Sequence, residues 1–260
     1  MFTAIYRSFP RIHAWIASPV SINAPHSPYV HATSCSRAAR GHRGARCGPS
    51  AAKAAFWDRI APKYATDPIA DMAGYRHTLQ RVQAMLRPEH HVLELGCGTG
   101  ITALQLAPLT RRYVATDVSS QMIAIAHARH AQQPTPALSF AVADAETHGF
   151  GQGLYDAVLA FNLLHLASDL ELVLRVAAQA LRPGGLLISK TPCIAEMNPL
   201  IGHVAVPLMR LVGQAPALKC LHEHQLQAAM AKQGLAVVIS ERHGTQRKDI
   251  RAFLVARKAD

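Results

Sequence analysis

The sequence contains no apolar run long enough to cross a membrane. Its longest near-apolar stretch, residues 154–166, is interrupted by Asp156, Asn162 and His165, whereas a transmembrane helix needs about 18 apolar residues. Cysteine is also sparse, and the five cysteines form no CxxC pair and no cluster with histidine at zinc-ligand spacing. We therefore expect no membrane span and no metal site, and we expect reduced thiols in a cytoplasmic protein.

Acidic residues are absent from the first 57 positions, where seven of the 27 lysines and arginines lie. This stretch carries +7 of the formal charge of +11, while residues 58–260 hold 20 bases and 16 acids. The excess therefore does not indicate a nucleic-acid surface on the folded part. Residues 1–50 lack helical or alternating periodicity, which predicts a disordered basic extension. Its composition is compatible with a targeting segment and with a misassigned start.

A single folded domain is predicted over residues 51–260. It begins with two amphipathic helices, one around Phe56, Trp57 and Tyr64 and one from Tyr75 to Pro88. Short apolar strands then alternate with helices, which is typical of a parallel α/β sheet covered on both faces. The seven strands are expected at residues 91–95, 112–116, 138–142, 155–161, 186–190, 235–242 and 250–257. The later helices are expected at residues 100–107, 119–131, 168–181, 200–212 and 222–233.

Three glycines follow the first strand in the segment HVLELGCGTG, residues 91–100. Gly96, Gly98 and Gly100 would allow the backbone to turn sharply and to approach a ligand closely, at the strand end where α/β sheets bind ligands. Their spacing is GxGxG, not the GxGxxG of dinucleotide-binding loops. Glu94, two positions earlier, would repel a pyrophosphate and attract a cationic group. The segment therefore favours a ligand with a positive centre over NAD.

Two aspartates follow the next two strands. Asp117 ends RRYVATD, where a carboxylate can accept hydrogen bonds from both hydroxyls of a ribose. It could instead cap the helix that begins near Ser119. Asp144 lies in VADAE and could accept a hydrogen bond from the amine of an adenine, or it could be a turn residue. Together with Glu94, these acids describe a nucleoside site without a phosphate site.

Five segments in order carry a family resemblance: VLELGCGTG, the strand end at Asp117, VADAE, YDAVLAFNLLHL and LRPGGLLIS. This order resembles the class I S-adenosylmethionine-dependent methyltransferases, in particular the small-molecule branch that includes quinone-biosynthesis methyltransferases. The resemblance covers about residues 55–258. It implies a Rossmann-like, doubly wound sheet of seven strands with the last strand antiparallel, and S-adenosyl-L-methionine as cofactor. Residues 191–199 depart from the quinone branch, so the acceptor is not defined.

The resemblance also implies roles at the methionine and ribose end of the cofactor. Gly96, Gly98 and Gly100 would wrap the methionine part, and Glu94 would support that loop. Asp117 would hold the ribose hydroxyls.

At the adenine end, Met122 would pack on the base, and Asp144 with Ala145 would contact its edge. Asn162 would border both cofactor and substrate. Tyr64 is the candidate for an aromatic side chain that closes over the cofactor, with core packing as the alternative.

Three features are open to two interpretations. His165, just past the fourth strand, could be a general base or a packing residue. Residues 194–218 could form a lid over an apolar acceptor or an ordinary covering helix. The segment His243-Gly244-Thr245 could be a hairpin loop or could approach the acceptor.

The predicted function is methyl transfer from S-adenosylmethionine to oxygen or carbon of a small, apolar or aromatic acceptor. One alternative is an NAD(P)-dependent oxidoreductase on a related sheet, and another is an RNA-modifying methyltransferase. The sequence does not define the oligomeric state.

Overall fold

The computed structural model describes residues 49–196, 218–244 and 251–260. The predicted extension at residues 1–50 and the predicted helix at residues 200–212 therefore lie largely or wholly outside the described residues. The helices are α1 (Pro49–Thr66), α2 (Met72–Gln83), α3 (Ile101–Leu106), α4 (Ser120–Gln132), α5 (Leu170–Ala180) and α6 (Glu223–Lys232). The strands are β1 (His91–Leu95), β2 (Arg112–Asp117), β3 (Leu138–Val142), β4 (Tyr155–Phe161), β5 (Leu181–Pro192), β6 (Leu235–Arg242) and β7 (Arg251–Lys258).

The strands form one sheet in the order β3-β2-β1-β4-β5-β7-β6. The first five pair in parallel, and β7 runs antiparallel to both β5 and β6. This confirms the predicted fold class, a doubly wound α/β sheet of seven strands with an antiparallel last strand. Among the helices of the described residues, none combines the length and the apolar character that crossing a membrane requires.

Each face of the sheet is covered by its own apolar cluster. One cluster contains Leu93 and Leu187 with residues of α5 and α6, and the other contains Val92 and Ile188 with residues of α3 and α4. Successive strand residues point to opposite faces, so strands covered on both sides are apolar at nearly every position. Burial along β4 is continuous from Tyr155 to Ala160, which explains why this strand could be predicted with its observed bounds.

Two predicted boundaries were wrong. The second helix ends at Gln83, before Pro88. The amide of Ala84 still bonds to the carbonyl of Gln80, but the amides of Met85 and Leu86 both bond to the carbonyl of Val82 and close the last turn there. The fifth strand begins at Leu181, which pairs with Tyr155, and not at residue 186. The expected Pro-Gly-Gly turn is instead an irregularity within β5, where Gly184 has a φ of 70°.

Candidate functional site

A cleft opens at the carboxyl ends of β1 to β4. Because β2 lies on one side of β1 and β4 on the other, the strand order reverses at β1, which is where open α/β sheets bind ligands. Helix α1 contributes Lys53, Trp57 and Tyr64 to the wall of the cleft. Tyr64 was predicted, and the strand ends and the segments that follow them contribute eight further predicted site residues: Glu94, Gly96, Gly98, Asp117, Met122, Asp144, Ala145 and Asn162.

The glycine loop contains three residues in the left-handed region. Gly96, Gly98 and Gly100 have φ values of 69°, 53° and 78°, a conformation in which any other residue is strained. Gly96 and Gly98 line the cleft. Gly100 does not; a Cβ there would lie 2.8 Å from Cζ of Phe140 and 2.9 Å from Cβ of Ala126. Its role in the structure is therefore to let the start of α3 pack closely on β3 and α4.

Asp117 fastens this loop to the end of β2. One carboxylate oxygen accepts from the amide of Gly98 at 2.9 Å, and the other accepts from the amide of Ser119 at 2.9 Å. Ser119 itself is the N-cap of α4, because its Oγ accepts from the amide of Met122 at 3.1 Å. Each carboxylate oxygen has two lone pairs, so Asp117 can also accept from a ligand in the cleft.

Glu94 is the most deeply buried acid of the cleft, with 2% of its surface exposed. Tyr113 donates a hydrogen bond to its Oε2 at 2.8 Å. Burial raises the pKa of Glu94 to about 7, against the opposing effect of the Tyr113 hydrogen bond and with an added contribution from the charge of Asp117. At neutral pH this carboxyl is therefore poised between its two protonation states, and a nearby cation would favour the charged one.

Asp144 is held by helix α1, an interaction that the sequence did not predict. Its Oδ2 accepts from Ser50 at 2.7 Å, and its Oδ1 accepts from Lys53 at 2.9 Å and from the amide of Glu146 at 3.0 Å. Lys53 also donates to Glu146 at 2.8 Å. Although burial would raise it, these hydrogen bonds hold the pKa of Asp144 below its ordinary value. A ligand that bonds to Asp144 must therefore share Oδ2 with Ser50.

The rest of α1 is fixed across the top of the glycine loop. Asp58 accepts from Oγ of Ser119 at 2.6 Å and from the amide of Gln121 at 3.0 Å, at the start of α4. Arg129 of α4 donates to Ala65 O at 2.9 Å and to Thr99 O at 3.0 Å. These contacts hold α1 and the glycine loop together, with half-exposed Tyr64 above the loop.

The remaining predicted contacts sit at different depths. Met122 is buried at 2% exposure and Ala145 at 8%, both in the wall of the cleft. Asn162 is exposed at the end of β4 and has a φ of 52°. It is the one non-glycine residue with a positive φ among the described residues. Such strain at a strand end is typical of functional positions.

The lining residues that were not predicted include two charged residues and an aromatic one: Lys53, Glu146 and Trp57. Lys53, Trp57 and Tyr64 are spaced by four and seven residues, so helical periodicity places them on one face. That spacing could have identified Lys53 and Trp57 once Tyr64 had been chosen. Glu146 carried no such signal, because its role depends on Lys53, which is 93 residues away.

Comparison with known proteins gives matches over this part of the chain. A family model described as a methyltransferase domain matches residues 92–185. An O-methyltransferase of Penicillium expansum is 32% identical over 133 residues, which cover 48% of this chain and 48% of that protein. A ubiquinone biosynthesis O-methyltransferase of Methylocella silvestris is 32% identical over 100 residues, which cover 38% of this chain and 39% of that protein.

A solved structure extends the match to the whole fold. Phosphoethanolamine N-methyltransferase 2 of Haemonchus contortus, in complex with phosphomonomethylethanolamine and S-adenosylhomocysteine, has a TM-score of 0.64 and 16% identity. The match covers 80% of this chain and 60% of that chain. Residues 92–185 thus resemble a methyltransferase domain, and the chain shares its fold with this solved methyltransferase. The chain spans half or less of the length of these curated relatives.

His165 is not among the described lining residues of the cleft, although Leu163 and Leu166 on either side of it are. It is buried in the turn Leu164–Leu166, and its backbone oxygen accepts from the amide of Lys219 at 2.7 Å. Burial, with the charge of Arg251 nearby, lowers the pKa of its imidazole to about 4. The side chain is therefore neutral at pH 7.

The two segments that were open to two interpretations, residues 194–218 and 243–245, lie partly outside the described residues. Of residues 194–218, the structure describes the short turn Ile194–Glu196 and residue 218. His243 is buried at the end of the strand region, stacked on Phe253 with ring centroids 4.2 Å apart. Thr245 is outside the described residues, so the hairpin interpretation is not tested.

Proposed function

We propose that this protein transfers a methyl group from S-adenosylmethionine to oxygen or carbon of a small, apolar or aromatic acceptor. The observation that carries the donor assignment is the set of carboxylates around the glycine loop. Glu94 and Asp117 both line the cleft, in the positions where a cationic group and a ribose would need them. The relatives named O-methyltransferases support oxygen as the methylated atom.

The methionine end of the cofactor fits the loop at Gly96 and Gly98. A Cβ at Gly98 would meet only Tyr64, at 3.8 Å, whereas its positive φ excludes other residues. The loop backbone is therefore left open toward the cleft. A buried carboxyl with a pKa near 7 would become fully charged beside a sulfonium or an ammonium group, so binding such a cation would release protons.

The nucleoside end fits Asp117 and the wall around Met122. The carboxylate of Asp117 can accept from the hydroxyls of a ribose. A diphosphate in this cleft would instead be repelled by the carboxylates of Glu94 and Asp117. Lys53, the cation among the described lining residues, is already paired with Asp144 and Glu146. This charge pattern disfavours the oxidoreductase alternative.

Methyl transfer depends mainly on how the donor and the acceptor are aligned. The sulfonium of the bound donor supplies an already activated methyl group. Tyr64 and Trp57 in α1 cover the cleft and would exclude water, while strained Asn162 borders the acceptor side. Orienting two reactants in this way is worth about 7–11 kcal/mol in well-aligned systems. We retain His165 as a proposed base, although a pKa of about 4 makes it a weak proton acceptor at neutral pH.

Thermal denaturation in the presence of nucleotides tests the donor. S-adenosylhomocysteine at 100 times its Kd should stabilise the protein by about 2.7 kcal/mol, and NADH should not. Stabilisation by NADH alone would contradict the proposal. A second assay, with isotopically labelled methyl donor and a metabolite extract, identifies the acceptor by mass spectrometry.

The RNA alternative is tested on the full chain. If the basic residues 1–50 recruit RNA, binding should weaken steeply with salt. Labelled methyl groups should then appear in RNA and not in small molecules. We expect the label in small molecules only.

A further inference from the structure

A second cavity adjoins the cleft on the side of β5 and β7, and helix α2 forms one of its walls. The two cavities share Thr102, Phe161 and Asn162. Tyr75 and Thr78 of α2 line the second cavity. Any contact that fixes α2 therefore also fixes this wall. Beside Thr78, side chains of α2 and of the end of β6 meet in a cluster of possible metal ligands.

The cluster consists of His77, Glu241 and His243. Each offers one ligand atom, an imidazole nitrogen or a carboxylate oxygen, and these atoms all lie within 4.8 Å of one another. His77 belongs to α2, Glu241 to β6, and His243 comes directly after β6. No other group of three such side chains lies this close together in the part of the chain that the structure describes. Spacing in the sequence could not reveal the cluster, because it joins two distant segments.

The end of β6 fixes two of the three ligands. Alternate residues of a strand point to the same face, so Glu241 and His243 lie side by side. The amide of His243 donates to the carbonyl of Arg251 at 3.0 Å. Its ring stacks on Phe253, with ring centroids 4.2 Å apart and 12° between the ring planes. The side chain of His243 is fully buried, and it is therefore held in one orientation.

The hydrogen bonds of His243 make Nε2 its ligand atom. Nδ1 lies 3.0 Å from Oγ1 of Thr78, and Nε2 lies 2.9 Å from Oε2 of Glu241. Oγ1 of Thr78 donates to the carbonyl of Gly74 at 2.8 Å, so its two lone pairs can accept from Lys190, at 2.9 Å, and from Nδ1–H of His243. In this tautomer Nε2 carries a lone pair. Metal-bound histidines almost always donate their other ring N–H to a neighbouring acceptor in this way.

Glu241 is held at the cluster by Arg81. Nε of Arg81 donates to Oε2 of Glu241 at 3.0 Å, and a second guanidinium nitrogen donates to Oε1. When no metal is bound, Nε2–H of His243 can donate to the same Oε2. A cation between Nε2 and Oε2 would take the place of that proton, while Arg81 keeps the carboxylate in position. The side chain of Glu241 is 30% exposed, so an ion can reach it from solvent.

His77 completes the ligand set from α2. Its ring centroid lies 4.3 Å from that of His243, with 35° between the two ring planes. Ligand atoms at about 2.0–2.1 Å from one tetrahedral ion are about 3.3–3.4 Å apart, so the cluster must close by a small distance. Because His77 is exposed, its ring can turn to aim a nitrogen lone pair at the ion without disturbing the core.

We propose that His77, Glu241 and His243 bind a zinc ion that fastens α2 to the end of β6. Two imidazoles and one carboxylate are a ligand set that zinc accepts, with water in the fourth position. Imidazole nitrogens suit zinc, whereas magnesium and calcium prefer oxygen ligands. None of the three residues is among the described lining of the cleft, and the inference does not depend on methyl transfer. By holding α2, the ion would fix the wall that carries Tyr75 and Thr78.

Titration of the full chain with zinc tests the site. The protein is treated with a chelator, transferred to metal-free buffer and titrated with zinc sulfate in a calorimeter. We expect one ion to bind per chain and the melting temperature to rise, because the folded state brings the three ligands together. The amides of α2 should also exchange hydrogen more slowly when zinc is bound. Absence of binding, or binding without stabilisation, overturns the inference.

A variant of the exposed ligand shows whether zinc binds at this cluster. In His77→Gln, zinc affinity should fall by at least about 100-fold, since losing a partner that only orients a ligand already costs about 10- to 100-fold. His127→Gln is the matched control, because His127 is also an exposed helix histidine that lies against another ring, that of Phe140. Equal zinc affinity in the two variants overturns the inference.

Two further measurements make the result independent of the folding of a variant. In the presence of chelator, both variants should melt at the temperature of the native protein, which shows that the fold is intact. Anomalous X-ray scattering at the zinc absorption edge, from crystals of the native protein, should place the ion between His77, Glu241 and His243. An ion found elsewhere, for example at the exposed Cys220, overturns the inference.

Discussion

The cleft and the second cavity share a wall and differ in charge. Among described residues, the cleft is lined by four acids, Glu94, Asp117, Asp144 and Glu146, against one base, Lys53. The second cavity is lined by two bases, Lys190 and Arg251, against one acid. One sheet edge therefore presents a negative and a positive surface, separated by the uncharged Thr102, Phe161 and Asn162.

This contrast shows that one sheet edge can present two surfaces of different charge. A cationic donor would be attracted to the acidic cleft. The two regions are also stabilised differently. Asp117 in the cleft accepts from two backbone amides, whereas Lys190 donates to a helix carbonyl and a hydroxyl.

The largest effect on stability should come from Gly100, at the end of the glycine loop of the cleft. In Gly100→Ala, the positive φ costs about 1–2 kcal/mol, and the contacts with Phe140 and Ala126 add about 1–3 kcal/mol. Urea denaturation should therefore show a loss of about 3 kcal/mol. Gly153→Ala is the control, because Gly153 has a φ of 63° but nothing within 4 Å of the added Cβ. Equal losses in the two variants would contradict close packing at Gly100.

The buried charge of Glu94 should be visible in the pH dependence of stability. Its pKa is about 7 in the folded protein and 4.5 ordinarily, so the folded state holds its proton more tightly. Glu94 therefore makes the protein less stable as the pH rises from 4.5 to 7. Glu94→Gln should remove this dependence and raise the free energy of unfolding at pH 8 by up to about 3 kcal/mol, while weakening the binding of S-adenosylmethionine.

The control for that experiment is Glu89→Gln, which changes an exposed acid near the start of β1. It should leave both the pH profile and donor affinity close to those of the native protein. If Glu94→Gln also left donor affinity unchanged, Glu94 would have no role in attracting the cation. The acidic lining of the cleft would then not explain why it binds the donor.

Asp117 should affect donor binding more than stability. Asp117→Ala removes a charged acceptor, which is worth about 1.5–3 kcal/mol per hydrogen bond, so the Kd for S-adenosylhomocysteine should rise by about 10- to 150-fold. Calorimetric titration measures this directly. Asp67→Ala removes an acid that pairs with exposed Lys63 outside the cleft, and it should leave the Kd unchanged. Equal affinities in the two variants would remove Asp117 from the site.

The sequence predicted the sheet better than the contacts across it. Four strands have the predicted bounds, because continuous or alternating burial leaves a clear pattern over five to eight residues. The positions of the site residues Gly96, Asp117 and Asp144 followed from the order of the strands, since parallel strands end at one edge.

Side-chain pairs between distant segments left no such pattern. Lys53 and Asp144 are 91 residues apart, and although Asp144 was a predicted site residue, nothing in the sequence indicated Lys53 as its partner. Lys190 and Arg251 come together only because β7 runs antiparallel beside β5 in a particular register. One residue of slip would turn Lys190 to the other face of the sheet. Hence the acidic cleft could be predicted, and the basic cavity could not.

The smallest effect is expected at Lys53, the cation inside the acidic cleft. Lys53→Met removes the ion pairs with Asp144 and Glu146, whose side chains are 7% and 11% exposed. Part-exposed pairs contribute about 1 kcal/mol, so global stability should fall little, but the amides of α1 should exchange hydrogen faster. Lys63→Met, at an exposed pair in the same helix, should change exchange much less. If both variants exchange alike, the charge of Lys53 does not help to hold α1 over the cleft.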